Sequence, residues 1–322
     1  MGERLYIGSC AGKFHALDRR SGRILWTYDI HQDGEQTSFH GDPLVTDELV
    51  VISADNTFNS SGIGHIYAFE QSTGRVHWKY RCKDGIPSDI ARSGRYVYAV
   101  TLADELICLD LRDGRLIWRL SSGAENTKGE NGQYSRPTSP TAAGKRILFG
   151  GLNGTLYALD SSSGETVWER RLGRRVTTTP LVLDDRVYAG TSEDDMFCLD
   201  LKTGREVTHL NLPAPPRGRL LEANGSLLAY LGSDIFAALD TSLERVRWSY
   251  RTSGRWSSHL PLIREDLVLI GSSDGRIVAL DLVGGTVRWI RVFSGEEVRS
   301  VANSDEEFYV GTRRGFLYAW RP

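Results

Sequence analysis

One phrase recurs along this chain at a period of about forty residues. Its full form is Ile147–Trp168, ILFGGLNGTLYALDSSSGETVW: an apolar strand, Gly or Ser, a short turn, Tyr-Ala-Leu-Asp, Gly four residues on and Trp four beyond it. The phrase returns at Leu5–Trp26, Tyr96–Trp118 and Leu267–Trp289, with looser copies ending at Trp78, Thr208 and Trp248 and a truncated one over Phe308–Pro322. Its acidic anchor falls at Asp18, Glu70, Asp110, Asp160, Asp200, Asp240 and Asp281, giving steps of 52, 40, 50, 40, 40 and 41 residues. A period of this size means a propeller or a solenoid, whatever length alone would suggest.

Each copy parses into four short strands, A to D. In the fourth copy A starts near Pro140, B is Arg146–Gly150, C is Thr155–Leu159 and D is Thr166–Arg170. Asn153-Gly154 is a hairpin signal between B and C, since both residues tolerate positive φ. In the C–D connection the Asp160 carboxylate is placed to accept turn N–H groups, and Gly164 supplies the left-handed closing residue. Strands B and C read as nearly continuous apolar runs, which implies burial on both faces of a sheet held between neighbours. The expected fold is an all-β propeller of four-stranded antiparallel blades, eight favoured and seven the alternative, with incomplete terminal blades. Residues 1–322 are read as a single domain, with repeats near 5–30, 37–81, 88–121, 135–171, 176–210, 217–251, 256–292 and 297–322.

Six of the eight tryptophans, Trp26, Trp78, Trp118, Trp168, Trp248 and Trp289, stand eight residues after the acidic anchor. An indole there would wedge against the next blade, and its truncation should cost about 3–5 kcal/mol. Thr208 takes that place in the fifth copy, so its inter-blade contact is expected to be the weakest.

These residues, Ala-Leu-Asp followed by Gly and Trp, resemble the repeat of the PQQ-like β-propeller superfamily, of quinoprotein and BamB type. The resemblance covers nearly the whole chain. It implies the fold but not one activity, because the superfamily spans dehydrogenases, the BamB assembly lipoproteins and propellers attached to kinases and adenylating enzymes. Its dehydrogenases bind pyrroloquinoline quinone and calcium, use an Asp base and often a vicinal Cys–Cys disulfide.

Those features are hard to find here. The four cysteines, Cys10, Cys82, Cys108 and Cys198, are never adjacent, and no CxxCH for haem is present. Cys108 and Cys198 occupy the Ala position of the phrase and read as small hydrophobes. The acids near the A strands, Asp42, Asp89, Glu222 and Glu297, have no companion ligand cluster. The seven histidines form no HxH or HExxH; His31 and His40 flank Asp33 and Glu35 in one loop, read as a hydrophilic connection rather than a cation site. No P-loop, GxSxG or dinucleotide fingerprint occurs. A net charge of −2 gives no basic field for nucleic acid. The N-terminus has no signal-like apolar stretch, and no segment approaches eighteen apolar residues, so a monomer without a transmembrane segment is expected. Compartment stays open: cytoplasmic as the sequence stands, periplasmic or extracellular if its start has been trimmed.

The functional expectation is therefore a non-catalytic propeller, a protein-interaction scaffold or ligand-sensing module with no cofactor. The alternative is a PQQ- and calcium-dependent oxidoreductase. The lengthened connections, His31–Phe39, Asp55–His65 and Ser121–Tyr134, are all D–A or B–C loops, which share one face of a propeller. Residues just before the A strands should border the same mouth: His40, Arg136, Arg217, Arg219, Trp256, His259 and Arg299. They suit a protein partner or a small anionic or aromatic ligand. Trp256 lies outside the docking register and is expected to be an exposed contact rather than a structural one.

Overall fold

The computed structural model describes residues 3–9, 11–34, 38–55, 63–126, 135–252, 254–256, 261–303 and 307–320, without the side chains of His40 and Trp320. Its contacts fall into two compact units, Met1–Val176 and Thr177–Pro322.

The first unit carries four antiparallel sheets, each a blade whose strands follow chain order. Blade one has three strands, Arg4–Gly8, Lys13–Asp18 and Ile24–Asp29, and lacks an A strand among the described residues. Blade two is Ser38–Val45, Leu49–Asp55, Gly64–Glu70 and Val76–Cys82; blade three is Ala91–Ser93, Tyr96–Val100, Glu105–Asp110 and Leu116–Ser121. Blade four is Thr141–Ala143, Arg146–Gly150, Thr155–Asp160 and Thr166–Arg171. The second unit repeats the plan. Blade five is Leu181–Leu183, Arg186–Gly190, Asp195–Asp200 and Glu206–Asn211, and blade six is Pro216–Ala223, Ser226–Leu231, Ile235–Asp240 and Val246–Arg251. Blade seven is Leu262–Arg264, Leu267–Gly271, Arg276–Asp281 and Val287–Val292. Blade eight has Val298–Asn303, Phe308–Thr312 and Leu317–Trp320, with no D strand described. The fold is thus an all-β, eight-bladed propeller type, and the sole helix among the described residues is the 3-10 turn Ile30–Asp33.

The B and C strands are buried along nearly their whole length, as their unbroken apolar runs require. In blade four the C–D ladder shifts register between Ala158 and Leu159, just before the acidic anchor. The same bulge recurs in the other six complete C–D pairs. It sets the tryptophan directly opposite the Ala or Cys of the phrase, Ala158 across from Trp168 and Cys108 across from Trp118. A small residue is needed there because the indole occupies the space beside it. After the bulge, Asp160 Oδ1 accepts the Ser162 and Ser163 N–H groups at 2.9 and 3.0 Å, and Gly164 closes the turn at φ 75°. The Ser162 hydroxyl and these N–H groups hold the Asp160 carboxyl down at about 2. One detail of the hairpin differs from expectation. Gly154 takes positive φ but Asn153 does not; its side chain instead accepts the Thr155 N–H and donates to the Ser122 carbonyl and the Tyr157 hydroxyl.

Within each unit the tryptophans couple successive blades through the glycine of the next C–D turn. A Cβ added to Gly74, Gly114, Gly164 or Gly285 would stand 2.5 or 2.6 Å from the ring of Trp26, Trp78, Trp118 or Trp248 respectively. The indole N–H of each donates to the carbonyl of the residue after the anchor: Gln71, Leu111, Ser161 and Leu282, at 2.9, 2.7, 3.3 and 3.0 Å. Glycine is required at that turn for two reasons at once, its left-handed backbone and the ring lying on it. Trp168 is 9% exposed, and Trp289 packs half-buried against the cluster of Leu269, Ile277, Phe308 and Val310.

The blade five to six interface is built differently from the expectation of a weak contact. Where blade five lacks the indole at Thr208, blade six also lacks the glycine: Glu244 stands at that position, and the left-handed residue is Leu243, one step earlier at φ 58°. Leu243 is 2% exposed and packs in one cluster with Tyr188, Cys198 and Leu239. Tyr188 supplies the missing donor, its hydroxyl reaching the Thr241 carbonyl at 2.8 Å. The apolar group has moved from the D strand of one blade to the turn of the next.

Candidate binding face

In the first unit the D–A and B–C loops are tied together by a buried carboxylate. Asp104 sits in the blade three hairpin at the place that Gly154 holds in blade four, with φ 57°, and has no exposed surface. Its Oδ2 accepts the Leu152 N–H of the next hairpin at 2.7 Å and the hydroxyl of Ser122, at the root of the longest insertion. Its Oδ1 is buried without a hydrogen-bond partner, and burial raises its pKa above the usual carboxylate range. Asn126 clamps the insertion by donating to the Leu102 and Ser135 carbonyls at 2.7 and 2.8 Å and accepting the Ser135 N–H at 3.1 Å. Arg136 follows, exposed. The stretch 127–134 within this loop, like 56–62 in the Asp55–His65 connection, lies outside the described residues.

Asp33, in the connection that follows blade one, is engaged by the fold itself. Its Oδ2 accepts the Tyr28 hydroxyl at 2.7 Å, the Tyr67 hydroxyl at 2.9 Å and the Lys79 ammonium at 2.9 Å. His31 Nδ1 lies 2.8 Å from Asp29. His40 lies in the A strand of blade two, with its backbone opposite Ser53. No group of three His, Cys, Asp or Glu among the described residues could hold a metal ion.

The second unit brings Arg217 and Trp256 into one neighbourhood. Arg217 faces Tyr230 across the A–B ladder of blade six, and the Tyr230 and Trp256 rings are 5.9 Å apart. Trp256 is half-buried against Tyr230, Phe236 and Tyr250, and its backbone is pinned to Ser233 and Ser272. It is therefore part of the packed interior, not the free surface contact expected of it. Its register differs because it enters from the D–A loop instead of a D strand. Arg219 is exposed on the same strand as Arg217, whereas Arg299 is engaged by Glu297 at 3.2 Å. His259 lies outside the described residues.

Three of the four candidate acids are occupied by the framework. Asp89 Oδ1 accepts the Asp42 N–H at 2.9 Å, Glu222 accepts the Gly225 N–H at 2.9 Å, and Glu297 pairs with Arg299 and Arg313. Cys108 and Cys198 are buried free thiols; burial pushes the first up to about 12 and raises the second, so neither is a nucleophile. Asp104 and Asn126 were not singled out by the sequence reading. Asp104 carried no distinguishing signal, since Asp194 and Asp234 also stand at the hairpin position that Gly154 holds in blade four.

A propeller of PQQ-like repeats in which Asp89, Glu222 and Glu297 serve the framework fits a binding propeller. The family model described as outer membrane protein assembly factor BamB matches residues 1–133, 62–227 and 198–322, and the chain belongs to that family. BamB of Moranella endobia is 22% identical over 94% of this chain and 81% of its own length. BamB of Yersinia pestis is 23% identical over 99% of this chain and 82% of its own. The solved BamB of Moraxella catarrhalis superposes with a TM-score of 0.82 at 19% identity, covering 100% of this chain and 95% of the other. A tetrathionate hydrolase of Acidithiobacillus ferrooxidans is also similar, 22% identical over 83% of this chain and 55% of its own length.

Proposed function

We propose that this protein is a non-catalytic docking platform in the assembly of outer-membrane proteins, recruiting protein partners through its D–A and B–C loops. The match to the BamB family along the whole chain carries this reading. The anchoring of the Ser121–Tyr134 insertion by Asp104, Ser122 and Asn126 supports it, because a binding loop presented on a rigid scaffold loses less freedom on association. In this reading the protein acts as a monomer and needs neither quinone nor calcium. Photo-crosslinking tests it. A crosslinker at Arg136 should capture a component of the outer-membrane assembly machinery, whereas one at Arg112, in a C–D turn, should not. Capture from Arg112 alone would put the partner on the other loops. A shifted quinone absorbance and dye-linked alcohol oxidation after reconstitution with PQQ and calcium would replace the reading with the oxidoreductase.

A further inference from the structure

Between blades six and seven, the D–A and B–C loops of the second unit carry more cationic donors than the chain can satisfy. Arg217 rises from the A strand of blade six, and Arg255 from the D–A loop that follows that blade. Both are exposed, and neither guanidinium has a carboxylate or carbonyl partner among the described residues. Arg255 is held in place by its backbone: its N–H donates to Ser273 Oγ at 3.2 Å, and its carbonyl accepts the Ser273 N–H at 2.8 Å. Partial burial and then the nearby charge of Arg255 pull the Arg217 guanidinium below its ordinary value. The acid beside them, Asp234 in the blade six hairpin, is already bound by Arg251. Behind them lies the wall of Tyr230, Phe236, Tyr250 and Trp256, whose indole Nε1 is buried with no acceptor. The next hairpin brings no free acid either, since Asp274 is engaged by Ser272 and Arg276. Two like charges in one loop cluster repel each other until an anion bridges them, and a planar guanidinium suits a carboxylate through paired N–H donors.

We propose that Arg217 and Arg255 form a receptor for carboxylate side chains on an acidic, extended segment of a partner protein. This rests on the docking-platform reading and names the chemistry of what docks. An extended peptide is favoured over a small anion because the donors come from two separate elements and continue along one of them, a spacing that takes successive side chains of one strand. Arg219, exposed two residues along the same strand, extends the basic track.

Fluorescence anisotropy tests it with a fluorescein-labelled peptide of alternating Asp and Glu and its Asn/Gln counterpart. The acidic peptide should bind the wild type, weaken as salt is raised, and lose at least tenfold in affinity to Arg217→Gln/Arg255→Gln. The amide peptide should not bind, and the double variant should melt as the wild type does, because both side chains are exposed. Equal binding by the double variant, or none by the wild type, overturns the proposal. So does binding of phosphatidylglycerol vesicles through the same two arginines without peptide binding, which would make the surface a lipid site. If the double variant still captures its assembly partner from Arg136, the docking platform stands and the carboxylate receptor alone is lost.

Discussion

Restoring the regular repeat at the blade five to six interface is a stringent test of how these blades are coupled. The perturbation has two halves: Thr208→Trp puts the indole back on the D strand, and Leu243→Ser with Glu244→Gly gives the next turn its usual Ser-Gly. Leu243 is 2% exposed within the cluster of Tyr188, Met196 and Cys198, so the turn change alone removes a buried leucine, at about 2–5 kcal/mol. Relief of a left-handed leucine at φ 58° returns about 1 kcal/mol of that. Thr208→Trp alone would drive an indole into space that Leu243 already occupies and cost about 1–3 kcal/mol by overpacking. Together the two halves should cost less than their sum by roughly 1–3 kcal/mol, the size expected of residues sharing one space. Urea unfolding of the four proteins measures this through midpoints at a constant slope, with the new indole as a local fluorescence probe. Additivity within about 0.5 kcal/mol would refute the exchange of Trp–Gly for Thr–Leu and leave Leu243 an unrelated core residue.

Two further outcomes follow from the geometry. Gly164→Ala should destabilise by about 2–3 kcal/mol and Gly144→Ala by about 1 kcal/mol, since both have positive φ but only Gly164 has the Trp118 ring 2.6 Å from the added Cβ; equal losses in thermal melts would show that the backbone, not the ring, requires glycine. The raised pKa of Asp104 means that the folded state holds its proton more tightly than the unfolded chain, so stability falls as pH rises from the usual carboxylate range through the higher folded value. Asp104→Asn should flatten that slope, gaining on the wild type towards neutral pH, and melting curves of the two proteins that run parallel between pH 3 and 8 would show that Asp104 does not titrate in this way.

The period was legible because every blade solves the same local problem with the same residues. Asp160 caps its turn, Gly164 closes it, and Ala158 leaves room for Trp168; each of these is a short-range requirement written within twenty residues. The strand limits of blade four were readable to within a residue for B to D for that reason. Tertiary substitution was not legible. Thr208 looked like a deficit because its compensation, Leu243 and Tyr188, is spread over two repeats and has no local signature. Trp256 looked exposed among polar neighbours because its aromatic partners come from three strands of blade six. The candidate mouth suffered in the same way. Register pointed to Arg217, which pairs with Tyr230 across the ladder, but not to Arg255, whose position depends on the pairing of its loop with Ser273.

The two sets of connections within each unit divide the labour, and this explains why the D–A and B–C loops differ in length from blade to blade while the C–D turns do not. The C–D turns carry the glycine on which each tryptophan lies and the carbonyl that takes its N–H, so their length and composition are fixed by blade-to-blade packing. The D–A and B–C loops share a backbone contact that makes no demand on side chains: the N–H after the D strand donates to the last carbonyl of the same blade's hairpin, as Ser122 does to Asp104, Leu172 to Gly154 and Leu212 to Asp194. Where one of them is long, a further polar network holds it, as Asp104, Ser122 and Asn126 do for the Ser121–Tyr134 insertion. Such a network costs stability through a buried carboxylate with an unpaired oxygen. Under the docking-platform reading that cost is offset by the loop it positions, and the proposed carboxylate receptor at Arg217 and Arg255 extends the same logic to the corresponding loops of the second unit.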